Sequence, residues 1–246
     1  MRYARAGLLL LIFSFTLAPG AQADAIISLV AGTSWQAWAG PSESRNTFFD
    51  SPSWDGPLQN IGFYVLSAAF AGQNLDYWGT SSGGWDTGFY LRNDSGTQQF
   101  VLRGGISAYL GINELGWFEF TPGGPGQPGV MGDKQALFGG ALGNVVGTTT
   151  IFAPTEFYGY YLTSGSGQTY TTLDNGGQFA LFNGTNGGLW LGVEDRPVNG
   201  FTDWDYNDMM INVSPVTPVP EPSSLLLLGT GLLGVAGRLS RRRRRQ

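Results

Sequence analysis

The central part of the chain alternates short apolar runs with clusters of glycine, asparagine, aspartate and serine. Apolar runs of this length between turn-forming residues are typical of β-strands, and no long stretch repeats with the helical period. We therefore predict an all-β fold, an antiparallel β-sandwich of jelly-roll type. No repeat of fixed period supports the alternative, a propeller or a solenoid. The predicted strands are 61–69, 88–91, 99–102, 115–120, 148–152, 156–162, 178–182, 189–193 and 208–213.

The first 23 residues have the three-part pattern of a secretory signal peptide. Two arginines precede an apolar run, 6–18, and the small-residue sequence Ala21-Gln22-Ala23 follows. We predict export and cleavage after Ala23, so that the processed chain begins at Asp24. A membrane anchor or a buried helix is the alternative, and the short apolar run with its small-residue site argues against both.

The carboxyl end carries a second targeting pattern. A proline-rich stalk, 215–222, leads into an apolar segment, 223–240, and an arginine cluster, 241–246, follows. The fifteen residues 223–237, before the first arginine, would make a transmembrane helix of roughly 22 Å, short for a hydrocarbon core of about 30 Å. Arginines stay on the cytoplasmic side, so we expect an inner-membrane anchor with the globular part facing outward. Because the cluster follows an apolar helix in an exported chain, the sequence argues against a nucleic-acid-binding tail.

These carboxyl-terminal residues resemble the PEP-CTERM sorting signal. The resemblance rests on Pro220, Glu221 and Pro222, on the Leu/Gly-rich segment after them, and on the terminal arginines, in that order. It implies a Gram-negative bacterium that makes exopolysaccharide, and an exosortase that recognises and removes the tail. It also implies release of the protein to the cell surface or the extracellular matrix.

The full-chain charge of −5 conceals a strongly acidic body. Between residues 24 and 218 lie 17 of the 18 acidic residues but five of the 13 basic ones, a net charge of −12. Such a body repels nucleic acid and attracts cations. The chain has no cysteine and no histidine, which excludes disulfides, Ser-His-Asp triads, and nucleophiles or metal sites built from those side chains. Core packing or bound metal must therefore supply the stability that disulfides give to many exported proteins.

Acidic and amide side chains concentrate just before the last predicted strand. Oxygen ligands without nitrogen or sulfur suit Ca²⁺, so we predict a Ca²⁺ site. The alternate spacing of its central residues matches the first three ligands of an EF-hand. Asp208 and Ser214 stand where that loop needs glycine and glutamate, so the motif is not an EF-hand. The candidate ligands are Glu194, Asp195, Asp203, Asp205, Asn207 and Asp208.

Two other interpretations of these residues stay open. They could cap backbone amides as Asx turns where a loop enters a strand. Two carboxylates could also act as the acid and base of a glycoside hydrolase. With 17 acidic residues in the body, close pairs arise by chance, and we expect a protein that is not an enzyme. Lys134 lies beside Asp133, and we expect a solvated surface pair rather than a general base.

The acidic motif also resembles the family called domain of unknown function 4114. That family carries a Glu-Asp pair, then Asp-x-Asp-[Tyr/Phe]-Asn-Asp, then an apolar strand, and the resemblance covers the last third of the body. Arg196 and Pro197 depart from the family pattern, which more often has leucine and glycine there. The resemblance implies a secreted β-rich module with no established activity. The matching segments are 189–195, 203–208 and 209–211.

Aromatic residues suggest an alternative function. All eight tryptophans lie in the body, and core packing is the default position for each. Trp78 and Trp85 stand in turn-like contexts, where an exposed ring could stack on a sugar face. The alternative is therefore a module that binds extracellular polysaccharide.

The Pro/Gly-rich segment 121–129 bears on domain organisation, because it can be neither a helix nor a central strand. We expect a long loop inside one secreted domain, 24–214, and the alternative is a linker between two halves.

Overall fold

The described part of the chain covers most of the predicted sandwich domain. The structure is a computed structural model. It describes residues 24–30, 32–37, 75–79, 88–105, 107, 109–124, 128–140, 145–174, 177–184, 189–196 and 206–215. The predicted signal peptide, the predicted strand 61–69, the sorting helix and the arginine cluster lie outside these residues. Within them, no helix is long and apolar enough to cross a membrane.

The described residues form thirteen strands. They are β1 (Ala25–Ser28), β2 (Ser34–Ala37), β3 (Leu75–Gly79), β4 (Phe89–Arg92), β5 (Gln98–Gly104), β6 (Glu114–Thr121), β7 (Val130–Gly139), β8 (Thr149–Phe152), β9 (Phe157–Thr163), β10 (Thr169–Thr171), β11 (Phe179–Gly184), β12 (Leu189–Val193) and β13 (Met209–Pro215). Eight of the predicted strands correspond to β4, β5, β6, β8, β9, β11, β12 and β13 with ends shifted by a few residues at most.

These strands pair into two antiparallel sheets. Sheet A has the order β1-β4-β9-β6-β7, and the short strand β10 pairs with the carboxyl end of β9. Sheet B has the order β2-β3-β11-β12-β13-β5-β8. The prediction of an all-β fold with antiparallel sheets is confirmed, and the jelly-roll connectivity stays a prediction. The Pro/Gly-rich segment joins β6 to β7, which are paired neighbours from Thr121↔Val130 to Glu114↔Gly139.

The core lies between the two sheets. Aromatic rings from both sheets meet there: Phe100 of sheet B lies 5.3 Å from Tyr160 of sheet A, and Phe152 lies 5.9 Å from Tyr158, all between ring centroids. Aliphatic side chains of both sheets complete the same cluster. Buried aromatic rings contribute large apolar areas and favour such edge-to-face contacts. This packing holds together a fold that no disulfide can cross-link.

Sheet A also buries part of its outer face. Phe118, Phe120 and Tyr161 form a second apolar cluster there, so β6 and β9 are covered on both sides. Glycines in the two strands give these rings room. A Cβ atom at Gly116 would overlap the Tyr161 ring and the carbonyl oxygen of Gln135 on β7. Glycine at this position is therefore a packing requirement of the sheet.

Gly116→Ala should destabilise the protein by about 1–3 kcal/mol, since the added methyl has no space between a buried ring and the neighbouring backbone. Gly124→Ala is the matched control, because a Cβ there meets no atom within 4 Å, and its effect should stay within about 0.5 kcal/mol. Urea unfolding monitored by tryptophan fluorescence measures both. Equal midpoints for the two variants would contradict the packing argument.

Candidate metal centre

Three acidic side chains come together where β12 ends and β13 begins. Glu194 and Asp195 directly follow β12, and Asp208 directly precedes β13. The two strands are antiparallel neighbours. An isolated β-bridge also pairs Val193, the last residue of β12, with Asn207. Carboxylate oxygens of Glu194, Asp195 and Asp208 lie within 4.8 Å of one another. We call these three residues the acidic cluster.

The acidic cluster is buried. Glu194 and Asp195 are 0% exposed and Asp208 is 6% exposed. Burial raises the pKa of Asp208 well above its ordinary value, and repulsion from the carboxylates of Glu194 and Asp195 raises it further. The backbone N–H of Asp195 donates to Asp208 Oδ2 at 2.7 Å, which offsets part of this cost. Charge at this position is therefore unfavourable unless a cation balances it.

Asp195 also contacts segments that are distant in the sequence. Its Oδ2 accepts hydrogen bonds from the Ser107 hydroxyl and from the Asn113 side-chain amide, the latter at 2.7 Å. Its backbone carbonyl accepts from the Ser164 hydroxyl at 2.6 Å. Asn113 Oδ1 in turn accepts from the N–H of Gly165 at 2.9 Å. These contacts join the β5–β6 connection and the turn after β9 to the end of β12.

The other carboxylate oxygen of Asp195 differs from the first. Asp195 Oδ1 is buried, and no residue that the structure describes offers it a hydrogen bond. Buried polar atoms are nearly always paired, so an unpaired carboxylate oxygen beside two further carboxylates requires an explanation. A bound cation is one ligand that would satisfy it.

The acidic cluster lies at one end of the sandwich and connects its two sheets. Glu194, Asp195 and Asp208 flank strands of sheet B, whereas Asn113 precedes β6 and Ser164 follows β9 in sheet A. At this end, the described residues form no backbone hydrogen bond between the two sheets. The Asp195 contacts supply that cross-connection here.

Tyr206 has a strained backbone at the edge of the cluster. Its φ of 55° is in the left-handed region that non-glycine residues seldom adopt, at a cost of about 1–3 kcal/mol. The side chain is buried, and its hydroxyl donates to the carbonyl of Gly177. This contact holds the turn that leads into Asn207 and Asp208.

Of the six predicted ligands, the described structure brings three together, Glu194, Asp195 and Asp208, which form the cluster. The fourth, Asn207, is buried and pairs through a β-bridge with Val193, the residue before Glu194. The other two, at positions 203 and 205, lie outside the described residues.

Sequence analysis missed Ser107, Asn113 and Ser164, the hydrogen-bonding partners of Asp195. Each lies outside the strands, between 31 and 88 positions from Asp195. Nothing in the local sequence distinguishes these residues from other turn residues, so only the pairing of the strands could reveal them.

Trp78 is half-buried and packs against the core, with its ring centroid 5.0 Å from that of Trp35. Its indole nitrogen is buried and has no hydrogen-bond partner among the described residues. Trp85 lies outside the described residues.

On the exposed strand β7, Lys134 lies over the Tyr161 ring, 5.0 Å from its centroid.

A groove with a volume of about 340 Å³ lies on the outer face of sheet A. Tyr90 and Phe120 line it, with ring centroids 4.8 Å apart, together with Leu29, Leu173 and prolines of the β6–β7 connection. Its described lining contains no acidic or basic side chain. The groove therefore offers apolar contact and no carboxylate pair.

Comparisons with known proteins concern the carboxyl end of the chain. Residues 218–244 match the PEP-CTERM protein-sorting motif. The motif supports export of this protein, anchoring in the membrane before processing, and sorting by an exosortase. Pro220, Glu221 and Pro222, the apolar segment 223–240 and the arginines as far as residue 244 fall inside the matched segment. No curated protein and no solved structure matches the chain.

Asn113→Ala should lower the free energy of unfolding by about 2–3 kcal/mol, because it removes a charge-assisted hydrogen bond from a buried carboxylate. Asn212→Ala is the control, since the Asn212 amide makes a single neutral bond of 3.3 Å and should cost about 1 kcal/mol or less. Both values come from urea unfolding in the presence of a chelator. A cost for Asn113→Ala no larger than that of the control would show that the Asp195 contacts do not stabilise the fold.

Proposed function

We propose that this protein is a non-enzymatic surface or matrix protein whose β-sandwich is completed by Ca²⁺ bound at the acidic cluster. The sorting motif supports the cellular route, because it identifies an exported chain that an exosortase processes. The buried Oδ1 of Asp195 supports the metal, and it is the observation on which the proposal chiefly rests. The resemblance of this segment to the domain of unknown function 4114 agrees with a secreted β-rich module.

The geometry of the cluster suits one cation. Ca²⁺ binds oxygen ligands at about 2.3–2.6 Å, so two ligands on opposite sides of one ion are separated by about 4.6–5.2 Å. The carboxylate oxygens of Glu194, Asp195 and Asp208 fall within that limit. All three are hard oxygen donors, which favour Ca²⁺ over metals that prefer nitrogen or sulfur.

The charge of the cluster points in the same direction. Three carboxylates in a buried site repel one another, and the raised pKa of Asp208 reflects that repulsion as well as desolvation. A divalent cation would offset the repulsion among the three carboxylates. It would also act as the partner that Asp195 Oδ1 lacks among the described residues. Asp208 accepts a hydrogen bond from the Asp195 N–H, but these residues are 13 positions apart, so this bond is not an Asx turn. It also leaves the second oxygen of Asp195 unexplained.

The burial of the acidic cluster favours ion binding over catalysis. A monatomic ion fits between side chains that are 0–6% exposed, whereas the glycosidic bond of a polysaccharide needs carboxylates that face an open cleft. For this reason we propose an ion-binding role and no enzymatic role for Glu194, Asp195 and Asp208.

Polysaccharide binding stays a prediction as the alternative function. The aromatic groove of sheet A, with Tyr90 and Phe120, offers ring contact of the kind that sugar stacking uses. Trp78 contributes to core packing, so its substitution tests stability as well as binding.

Millimolar Ca²⁺ should raise the thermal unfolding midpoint of the processed protein by about 5–10 °C over its value in EDTA. Saturation to 100 times the dissociation constant adds about 2.7 kcal/mol, and a domain of this size gains about 2–4 °C per kcal/mol. Asp208→Asn should lose most of this increment, because the amide removes one charged ligand. Asp133→Asn, at an exposed carboxylate on β7, should keep it. Identical midpoints in EDTA and Ca²⁺ for the wild-type protein would reject the metal site.

The metal-free protein should become more stable as the pH falls from neutral toward the ordinary carboxyl range. A carboxyl group whose pKa is raised in the folded state binds its proton more tightly there than in the unfolded chain, so folding is favoured below the raised pKa and disfavoured above it. Asp208→Asn should reduce this slope, and Ca²⁺ should raise the midpoint most at neutral pH. Thermal unfolding in EDTA across this pH range measures the slope. A wild-type slope equal to that of Asp208→Asn would contradict the assignment of Asp208.

A further inference from the structure

Another buried carboxylate, apart from the three of the acidic cluster, lies at the opposite end of the sandwich. Asp24 is 7% exposed, although it immediately precedes the short edge strand β1. Terminal residues of a domain are usually poorly ordered unless specific contacts hold them. The burial of an acidic side chain at this position therefore requires specific partners.

Four donors converge on the Asp24 carboxylate. The backbone N–H groups of Asp94 and Ser95 donate to Oδ1 at 3.1 and 2.9 Å. The side-chain amide of Gln98 and the hydroxyl of Tyr158 donate to Oδ2, the latter at 2.6 Å. Both oxygens are thus satisfied, and no cation is required.

The partners of Asp24 come from both sheets. Gln98 begins β5 of sheet B, and Tyr158 belongs to β9 of sheet A and is fully buried. Burial raises the pKa of Tyr158 well above its ordinary value, with a further contribution from Asp24, so the tyrosine stays a neutral donor. Strand directions place this site opposite the acidic cluster, because β5 runs from Gln98 toward Ser107 and β9 runs from Tyr158 toward Ser164.

Strand β1 depends on the Asp24 contacts more than a longer or more central strand would. It has four residues, and among the described strands it pairs with β4 alone, from Ala25↔Arg92 to Ser28↔Phe89, at the edge of sheet A. A short edge strand at a chain end frays easily, because few hydrogen bonds and one neighbour hold it.

We propose that the Asp24 carboxylate is the amino-terminal anchor of the processed protein: it fixes β1 to the sandwich and stops amino-terminal trimming before Asp24 is removed. The inference rests on the predicted cleavage after Ala23 and is independent of the Ca²⁺ site. Removal of Asp24 by a peptidase would delete all four contacts and release β1. An exported protein meets such peptidases outside the cell, so the anchor protects its amino terminus.

Asp24→Asn tests the anchor with little change in shape. Whichever oxygen becomes the amide nitrogen, that nitrogen faces two groups that donate to the carboxylate in the native protein. In the processed protein, amide hydrogen exchange over Ala25–Ser28 should become at least about tenfold faster, as expected for the loss of one or more charge-assisted bonds. Exchange in β12 and β13 should change by less than about twofold. Asp133→Asn is the control of equal charge change, and it should leave exchange in β1 unaltered.

An aminopeptidase digestion read by mass spectrometry gives a second measurement. Trimming of the wild-type protein and of Asp133→Asn should stop at Asp24, whereas trimming of Asp24→Asn should continue into β1. If Asp24→Asn does not accumulate, Tyr158→Phe retains the carboxylate with three donors and should show intermediate exchange in β1. Exchange and trimming equal to the control in both variants would overturn the proposal, as would a processed protein whose first residue lies beyond Asp24.

Discussion

A buried carboxylate must be matched by hydrogen-bond donors or by a cation, and both ends of this sandwich contain buried carboxylates. Asp24 lies at one end and Asp195 at the other, and each accepts hydrogen bonds from segments of both sheets or flanking both sheets. Among the described residues, the sheets are otherwise joined by the apolar core and by one hydrogen bond from the Thr150 hydroxyl of β8 to the Leu137 carbonyl of β7, and the chain has no cysteine for a disulfide. Directional contacts at the two ends therefore supply what a disulfide supplies in many exported domains.

The two ends differ in one respect that matters for function. Both oxygens of Asp24 have two donors each, so that site is complete within the chain. Asp195 has donors on Oδ2, while Oδ1 has none among the described residues, and Glu194 and Asp208 add negative charge nearby. At the Asp24 end, donors of the chain alone satisfy the buried carboxylate. At the acidic cluster, the described residues leave Asp195 Oδ1 without a donor. The proposed cation would account for that difference, and it would bind at the end where Asp195 contacts segments that flank both sheets.

Sequence analysis predicted the parts of this arrangement that depend on local pattern. Strands β12 and β13 could be predicted because apolar residues lie between turn formers, and the acidic residues around them could be recognised as oxygen ligands by type alone. Strand β7 could not, because it is an exposed edge strand interrupted by Gly132, Asp133 and Lys134 and so lacks an apolar face. The three residues of β10 were too few to show a pattern.

Residues that act through long-range contacts were beyond the sequence. Asn113 and Ser107 are 82 and 88 positions from Asp195, and Asp24 is 134 positions from Tyr158, so only strand pairing shows that they meet. Asp24 is a clear case of this limit. From the sequence, Asp24 is the residue that follows a predicted cleavage site. In the structure, it is buried and hydrogen-bonded to Gln98 and Tyr158.

The central claim is that Asp195 Oδ1 is a metal ligand. A crystal structure of the processed protein grown with Ca²⁺, and a second with a lanthanide located by its anomalous signal, would test it most directly. The account predicts one ion bound by Asp195 Oδ1 with carboxylate oxygens of Glu194 and Asp208 at about 2.3–2.6 Å. An ordered water or a protein donor on Oδ1, with no ion at the cluster in either crystal, would contradict it.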